Sequence, residues 1–275
     1  MTLENKILLV GIDLDGTLLR NDKTISERTA KSLINAAERG IHIVPVTGRP
    51  LSGIPKCITD LGVCDYAITT NGAVITRLKT GECIYSAPIE HEKAVIIMSE
   101  LEKNKIDYET FADGAGYLKP SLMAKYHEKY GGSPVGEYIR LSRKVFEDPL
   151  DEFKKQRKCA DEIFIICESS HQRELLAAEF RKNMDVQICL LEDTFLEITR
   201  RGTDKGCAFD FLGKHLGILS QNTAAFGDNA NDLALLEAAG VSVAMGNASD
   251  YVKQRADMVA DTNEKDGVAK LLDRF

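Results

Sequence analysis

Short apolar runs that stop abruptly at polar residues, each followed by an amphipathic stretch, recur at both ends of this chain and leave few folds open to it. Residues 8–19 read LLVGIDLDGTLL. Leu8, Leu9, Val10 and Ile12 suit a strand buried on both faces, yet Asp13 and Asp15 follow at once, then Gly16 and Thr17. In SERTAKSLINAAERG, Ser26 is placed to cap a helix whose apolar positions Ala30, Leu33, Ile34 and Ala37 have helical spacing, and Gly40 is placed to end it. IHIVPVTGR supplies another buried strand, and YAITTNGAVI reads as a strand, an Asn71-Gly72 turn and a returning strand. The texture returns late in the chain. DKGCAFDFLGKHLG is a helix with Ala208, Phe211, Leu212 and Leu216 on one face, and TAAFGD, NDLALLEAAG, VSVAMGN and DMVA follow as strand, helix, strand and short strand. Such alternation indicates an α/β fold with a parallel sheet covered on both faces.

Between these blocks the pattern changes. HEKAVIIMSELEKN and HQRELLAAEFRKNM look helical, EIFIICE and VQICLLED look like strands, and the stretch between the first helix and the first strand is richer in Tyr, Gly and Pro. The expected organisation is a discontinuous core, residues 1–83 and 193–275, with a second α/β unit inserted at 84–192. A chain of 275 residues is long enough for both.

Acids outnumber Lys and Arg by 42 to 35, so the overall field disfavours nucleic acid and anionic membranes, and an anionic substrate needs a local positive site. The seven cysteines form no CxxC pair and sit mostly in apolar stretches, which suits reduced thiols in the cytoplasm. The start lacks the basic and small-residue features of a signal peptide, and no run reaches the roughly 18 apolar residues of a membrane helix. The histidines lack HxxxH spacing and no GxSxG elbow is present, which argues against zinc and serine hydrolase chemistry.

Four stretches carry candidate chemistry, each with a plainer reading beside it. Asp13 and Asp15 stand beyond the carboxyl end of a strand, where ligands bind in open parallel sheets, or they merely terminate it. Thr47-Gly48-Arg49 offers a hydroxyl and backbone amides to phosphate oxygens, or is a simple turn. Lys205 opens a helix against the dipole preference for acids, which hints at an anion to neutralise, or is solvated. In AFGDNANDLALL, Asp228 follows a strand as Asp13 does, and Asn231 and Asp232 begin a helix; these hard oxygens suit Mg²⁺, or serve as helix caps. Capping leaves Asp228 unexplained.

In that chain order the four stretches closely resemble the four motifs of the haloacid dehalogenase superfamily. DLDGTLL, VTGR, DKG, GDNAND, TNGAVI, AMGNA and the ending DGVAKLL together look like its Cof-type (IIB) branch, and the likeness covers nearly the whole chain. The resemblance implies a Rossmann-like parallel-sheet core with an inserted α/β cap that closes over the substrate. It further implies a Mg²⁺-dependent phosphatase acting on small phosphorylated metabolites, sugar phosphates above all, with no obligate protein partner. By family analogy Asp13 is the nucleophile that becomes an aspartyl phosphate, and Asp15 is the general acid and base. The metal is held by the Asp13 carboxylate, the Asp15 carbonyl and Asp228, with Asp232 orienting its shell, while Thr47, the Gly48 amide, Lys205 and Asn231 hold the phosphoryl oxygens. Two alternatives share the fold: a phosphoryl transferase of the phosphohexomutase type, and a non-catalytic regulatory protein.

Overall fold

The computed structural model describes residues 6–191 and 194–275. In chain order the strands are β1 (Leu9–Ile12), β2 (His42–Pro45), β3 (Tyr66–Thr69), β4 (Val74–Arg77), β5 (Glu82–Ser86), β6 (Asp107–Ala112), β7 (Ala115–Leu118), β8 (Arg143–Val145), β9 (Glu162–Ile166), β10 (Val186–Leu191), β11 (Phe195–Arg200), β12 (Thr223–Gly227), β13 (Val241–Ala244) and β14 (Met258–Val259). The helices are α1 (Glu27–Glu38), α2 (Lys56–Thr59), α3 (His91–Lys103), α4 (Pro120–Tyr130), α5 (Pro134–Ser142), α6 (Pro149–Gln156), α7 (Ser170–Asn183), α8 (Lys205–His215), α9 (Leu233–Ala238), α10 (Asp250–Lys253) and α11 (Gly267–Leu272).

The chain divides into two compact units, one of residues 1–48, 54–85 and 204–275, the other of 49–53 and 86–203. The expected boundary at residues 192–193 lies outside the described residues. The observed return to the first unit comes later, after Thr203, because β11 pairs antiparallel with both β10 and β9 and so belongs to the inserted unit's sheet. The short segment Arg49–Gly53 also groups with the second unit rather than with the core, where residues 1–83 placed it.

The first unit is built on a parallel sheet of order β14-β13-β12-β1-β2, so its strands all end on one side. Leu9, Val10 and Ile12 are fully buried, as apolar residues on a doubly covered strand must be. Helix α1 starts where Ser26 accepts a hydrogen bond from the Thr29 amide, and Gly40, at φ +83°, follows its end. Phe209, Leu212 and Leu235 pack with Leu9 and Val44 in one apolar cluster. A second sheet, β3-β4-β5, continues the first: Val46, one residue beyond β2, bridges to Ile68 of β3.

The second unit carries a six-stranded sheet of order β10-β11-β9-β6-β7-β8. Tyr108, Ile163, Ile165, Leu196 and Ile198 on one face pack with Ile97, Leu101, Phe153 and Phe180 in a continuous core. Among the side chains pointing the other way, Arg143 makes a two-pronged, buried ion pair with Glu109, at 2.7 and 3.2 Å, and Tyr126 donates to the same carboxylate at 2.9 Å. Tyr117, Lys119 and Arg140, three polar or charged residues of this unit, are engaged internally: Tyr117 is stacked on Phe146, Lys119 pairs with Glu102 and Arg140 with Glu137.

Asp161 is the costly residue of this unit. Burial, and then the charge of Asp113, push its carboxyl up to about 7. A raised carboxyl keeps its proton in the native state while the unfolded chain releases it near pH 4, so stability falls as pH rises from about 4 to 7. Asp161→Asn, compared with the parent by urea unfolding at pH 5 and pH 8, is expected to lose about 2 kcal/mol less stability over that interval. Equal pH dependence in both proteins would refute the assignment.

Candidate active site

The ends of β1, β2 and β12 are neighbours, and the backbone keeps pairing past the ends of β1 and β2. The Asp13 amide donates to the Phe226 carbonyl at 3.0 Å, the Val46 amide to Ile12 at 2.9 Å, and the Thr47 amide to Ile68 at 2.9 Å. Asp13 is thus fixed on a rigid base and is only 5% exposed. Facing it is Lys205, first residue of α8, whose helix is capped by Asp204 through the Cys207 amide at 2.7 Å. Lys205 is 1% exposed, and its ammonium donates to Asp13 Oδ1 at 2.7 Å and to Asp232 Oδ1 at 2.5 Å.

Asp232 is fully buried, and its other oxygen accepts from the Asp228 and Asn229 amides at 2.9 and 3.0 Å. It closes a capping box with Asn229 in a 3-10 turn, Ala230–Asp232, so the helix proper starts at Leu233, two residues later than the sequence suggests. Asp228 accepts from the Thr17 hydroxyl at 2.9 Å. Gly16, at φ +80°, brings the backbone so close that a Cβ there would stand 2.4 Å from Asp228 Oδ2, a position only glycine fills. The Gly16 carbonyl is held by the Asn247 amide group at 2.8 Å.

The electrostatics follow from crowding. Carboxylate oxygens of Asp13, Asp228 and Asp232 lie within 4.8 Å of one another around a single ammonium. Burial, then the Asp232 charge, raise the Asp13 carboxyl well above the usual carboxylate range against the pull of Lys205. The same two causes push Asp228 up to about 6. Burial works against the Lys205 charge, but the Asp13 and Asp232 carboxylates outweigh it and hold the ammonium well above the usual lysine range. An oxygen-only cluster with surplus negative charge fits a hard divalent cation. Two ligand oxygens about 2.1 Å from one ion sit no more than about 4.2 Å apart, a spacing within reach of these side chains.

The other predicted residues fall into two places. Thr47 is buried, and Gly48 abuts Asn71, whose Nδ2 would lie 3.1 Å from a Cβ at Gly48. Asn231 donates to Asn71 Oδ1 at 3.1 Å, so Gly48 and Asn231 meet through Asn71. Asp15 is more open than Asp13: its side chain is 41% exposed and pairs with the Lys23 ammonium at 2.6 Å. Thr17, Asn71 and Lys23 were absent from the sequence-derived site. Sequence signals for the first two exist, since Thr17 completes the DGT turn after Asp15 and Asn71 opens the Asn71-Gly72 turn; in the structure Thr70, Asn71 and Gly72 all stand at positive φ. A Cβ at Gly72 would stand 2.1 Å from the Asp204 carbonyl, so that turn is pressed against the start of the Lys205 helix.

The model of the haloacid dehalogenase-like hydrolases matches residues 10–272. The chain is 29% identical over 266 residues to the 5-amino-6-(5-phospho-D-ribitylamino)uracil phosphatase YcsE of Bacillus subtilis, covering 97% of this chain and 94% of the relative. It is 29% identical over 280 residues to the pyridoxal phosphate phosphatase YbhA of Escherichia coli, covering 96% and 97%. Among solved structures, a haloacid dehalogenase-like hydrolase from B. subtilis superposes with a TM-score of 0.87 at 28% identity, covering 97% of this chain and 99% of that one. The relatives are phosphatases by name, and a match of that extent makes the chain a phosphatase of the haloacid dehalogenase-like hydrolases.

Proposed function

We propose that this phosphatase hydrolyses small phosphomonoesters, sugar phosphates foremost, with Mg²⁺ as its cofactor and an aspartyl phosphate on Asp13 as its intermediate. The observation that carries the reading is the placement of Asp13, a nearly buried carboxylate at a strand end with one oxygen gripped by the Lys205 ammonium. In the first displacement an Asp13 oxygen bonds to phosphorus, the bond to the leaving oxygen breaks, and Asp15 gives that oxygen a proton. In the second, Asp15 takes a proton from water as the water oxygen bonds to phosphorus; the acyl phosphate bond breaks, restoring the Asp13 carboxylate and releasing inorganic phosphate. Thr47, the Gly48 amide, Lys205 and Asn231 hold the phosphoryl oxygens throughout.

The Asp13 and Asp228 carboxylates and the Asp15 carbonyl would hold Mg²⁺. When bound, the ion neutralises charge between the nucleophile and a dianionic phosphate. Asp232 acts from behind, fixing Lys205 with one oxygen and the Asp228 backbone with the other. The seven free thiols fit a cytoplasmic setting, and among the described residues no helix is long and apolar enough to cross a membrane.

The test is phosphate release from a panel of glucose, ribose, ribitol, glycerol and pyridoxal phosphates and p-nitrophenyl phosphate. Chelation of divalent cations is expected to lower kcat by about 100-fold or more, with recovery on adding Mg²⁺, and acid-quenched enzyme to carry phosphate on Asp13 by mass spectrometry. Isomerised sugar phosphate with little free phosphate would instead assign a phosphohexomutase. No turnover across the panel would assign a non-catalytic role.

A further inference from the structure

The Asp15 side chain has a built-in partner that the reaction scheme above does not use. Lys23, eight residues along the chain, places its ammonium 2.6 Å from Asp15 Oδ1. The pair is open to solvent, with side chains 22% and 41% exposed, and pairs so screened contribute little to stability. Its construction is nevertheless demanding. Lys23 stands at φ +64°, in the left-handed region that side chains other than glycine's enter only under constraint.

That constraint comes from a closed, pinned loop. The Lys23 amide donates to the Arg20 carbonyl and the Arg20 amide to the Thr24 carbonyl, both at 2.9 Å. Asp22 Oδ1 accepts from the Thr24 amide at 3.0 Å and from its hydroxyl at 2.6 Å. The loop is tied outward as well, by Arg20 to Asp266 at 3.1 Å and by the Asn21 amide to Glu264 at 2.7 Å. The strain therefore falls on a loop residue whose side chain pairs with Asp15.

We propose that Lys23 is a positioning residue for Asp15: by holding one carboxylate oxygen it fixes the side-chain torsions of a half-exposed group that must meet the leaving oxygen and later the attacking water. The inference rests on the proton-transfer role given to Asp15 above. Lys23 transfers no proton and keeps its three N–H bonds through both steps. A carboxyl left to rotate meets the leaving oxygen less often, and displacements of an ångström at a reacting group cost up to about 100-fold.

The experiment uses the intact chain and reads kcat/KM, which reports every step up to loss of the leaving group. Two substrates are compared: the sugar phosphate turned over fastest in the panel above, whose alkoxide must be protonated, and p-nitrophenyl phosphate, whose phenolate is a weak base. Lys23→Met is expected to lower kcat/KM by about 10-fold or more on the sugar phosphate and by less than about threefold on the aryl ester. Lys23→Arg is expected to recover most of the loss, and Lys23→Met added to Asp15→Asn to change kcat/KM by less than about twofold. Equal losses on the two substrates, or a further loss in the Asp15→Asn background, would overturn the proposal. If Asp15→Asn itself costs nothing on the sugar phosphate, it is the proton-transfer reading that fails; if Asp15→Asn is costly and Lys23→Met is not, only the role of Lys23 falls.

Discussion

Asp13→Asn is expected to lower kcat by about 10⁵-fold while leaving the protein folded. The amide keeps the shape and size of the carboxylate but has no charged oxygen to bond to phosphorus, so both displacements stop at the first. Stability should not fall with activity. Asp13 is one of three crowded acids, and burial with the Asp232 charge already disfavours its ionised form. Removing its charge leaves Lys205 paired with Asp232. Urea unfolding at pH 7 should therefore give a midpoint equal to or above that of the parent. Residual phosphate release within about tenfold of the parent's would show that Asp13 is not the nucleophile.

Lys205→Met should produce a large loss of stability together with a loss of rate. The methionine fills nearly the same volume, but the Asp13 and Asp232 carboxylates lose the ammonium that lies 2.7 and 2.5 Å from them. Breaking a buried pair and leaving charge uncompensated costs about 3–5 kcal/mol. The sign of the pH effect follows from Asp13, whose carboxyl is already raised by burial and by Asp232. A raised carboxyl binds a proton in the native state that the unfolded chain releases, so the deficit of the variant is full at pH 8 and narrows as pH falls toward about 4. Loss of this donor from the transferring phosphoryl group should lower kcat by about 10²–10³-fold. A variant as stable as the parent at pH 8 would mean that the two acids do not share this ammonium.

Much of this site was legible because each part is announced locally. An apolar strand that breaks off at Asp13 or at Asp228, and a serine placed to cap α1, are short-range patterns whose meaning does not depend on distant residues. What the pattern could not supply was partnership across the chain. The sequence alone does not assign Phe195–Arg200 to either unit; its pairing with Ile163–Ile166 on one side and Val186–Leu191 on the other decides the matter. Asp232 is similar. Its spacing fits a helix cap and also a metal-shell residue, and it caps with one oxygen while gripping Lys205, 27 residues away, with the other. The tie between Asp15 and Lys23 escaped for another reason: it depends on a left-handed backbone at a lysine, which residue identity argues against.

The strand that carries Asp13 lies between one neighbour made soon after it and another made almost last. Leu9–Ile12 can pair with His42–Pro45 early, whereas its opposite flank is completed by Thr223–Gly227, and Lys205 arrives only shortly before. During synthesis from the N-terminus the ribosome thus exposes Asp13 with neither Lys205 nor Asp228 yet made, and for about two hundred residues of elongation β1 keeps an open edge of the kind that invites wrong pairing. The inserted unit is made wholly within that interval, so it can fold while the nascent core waits.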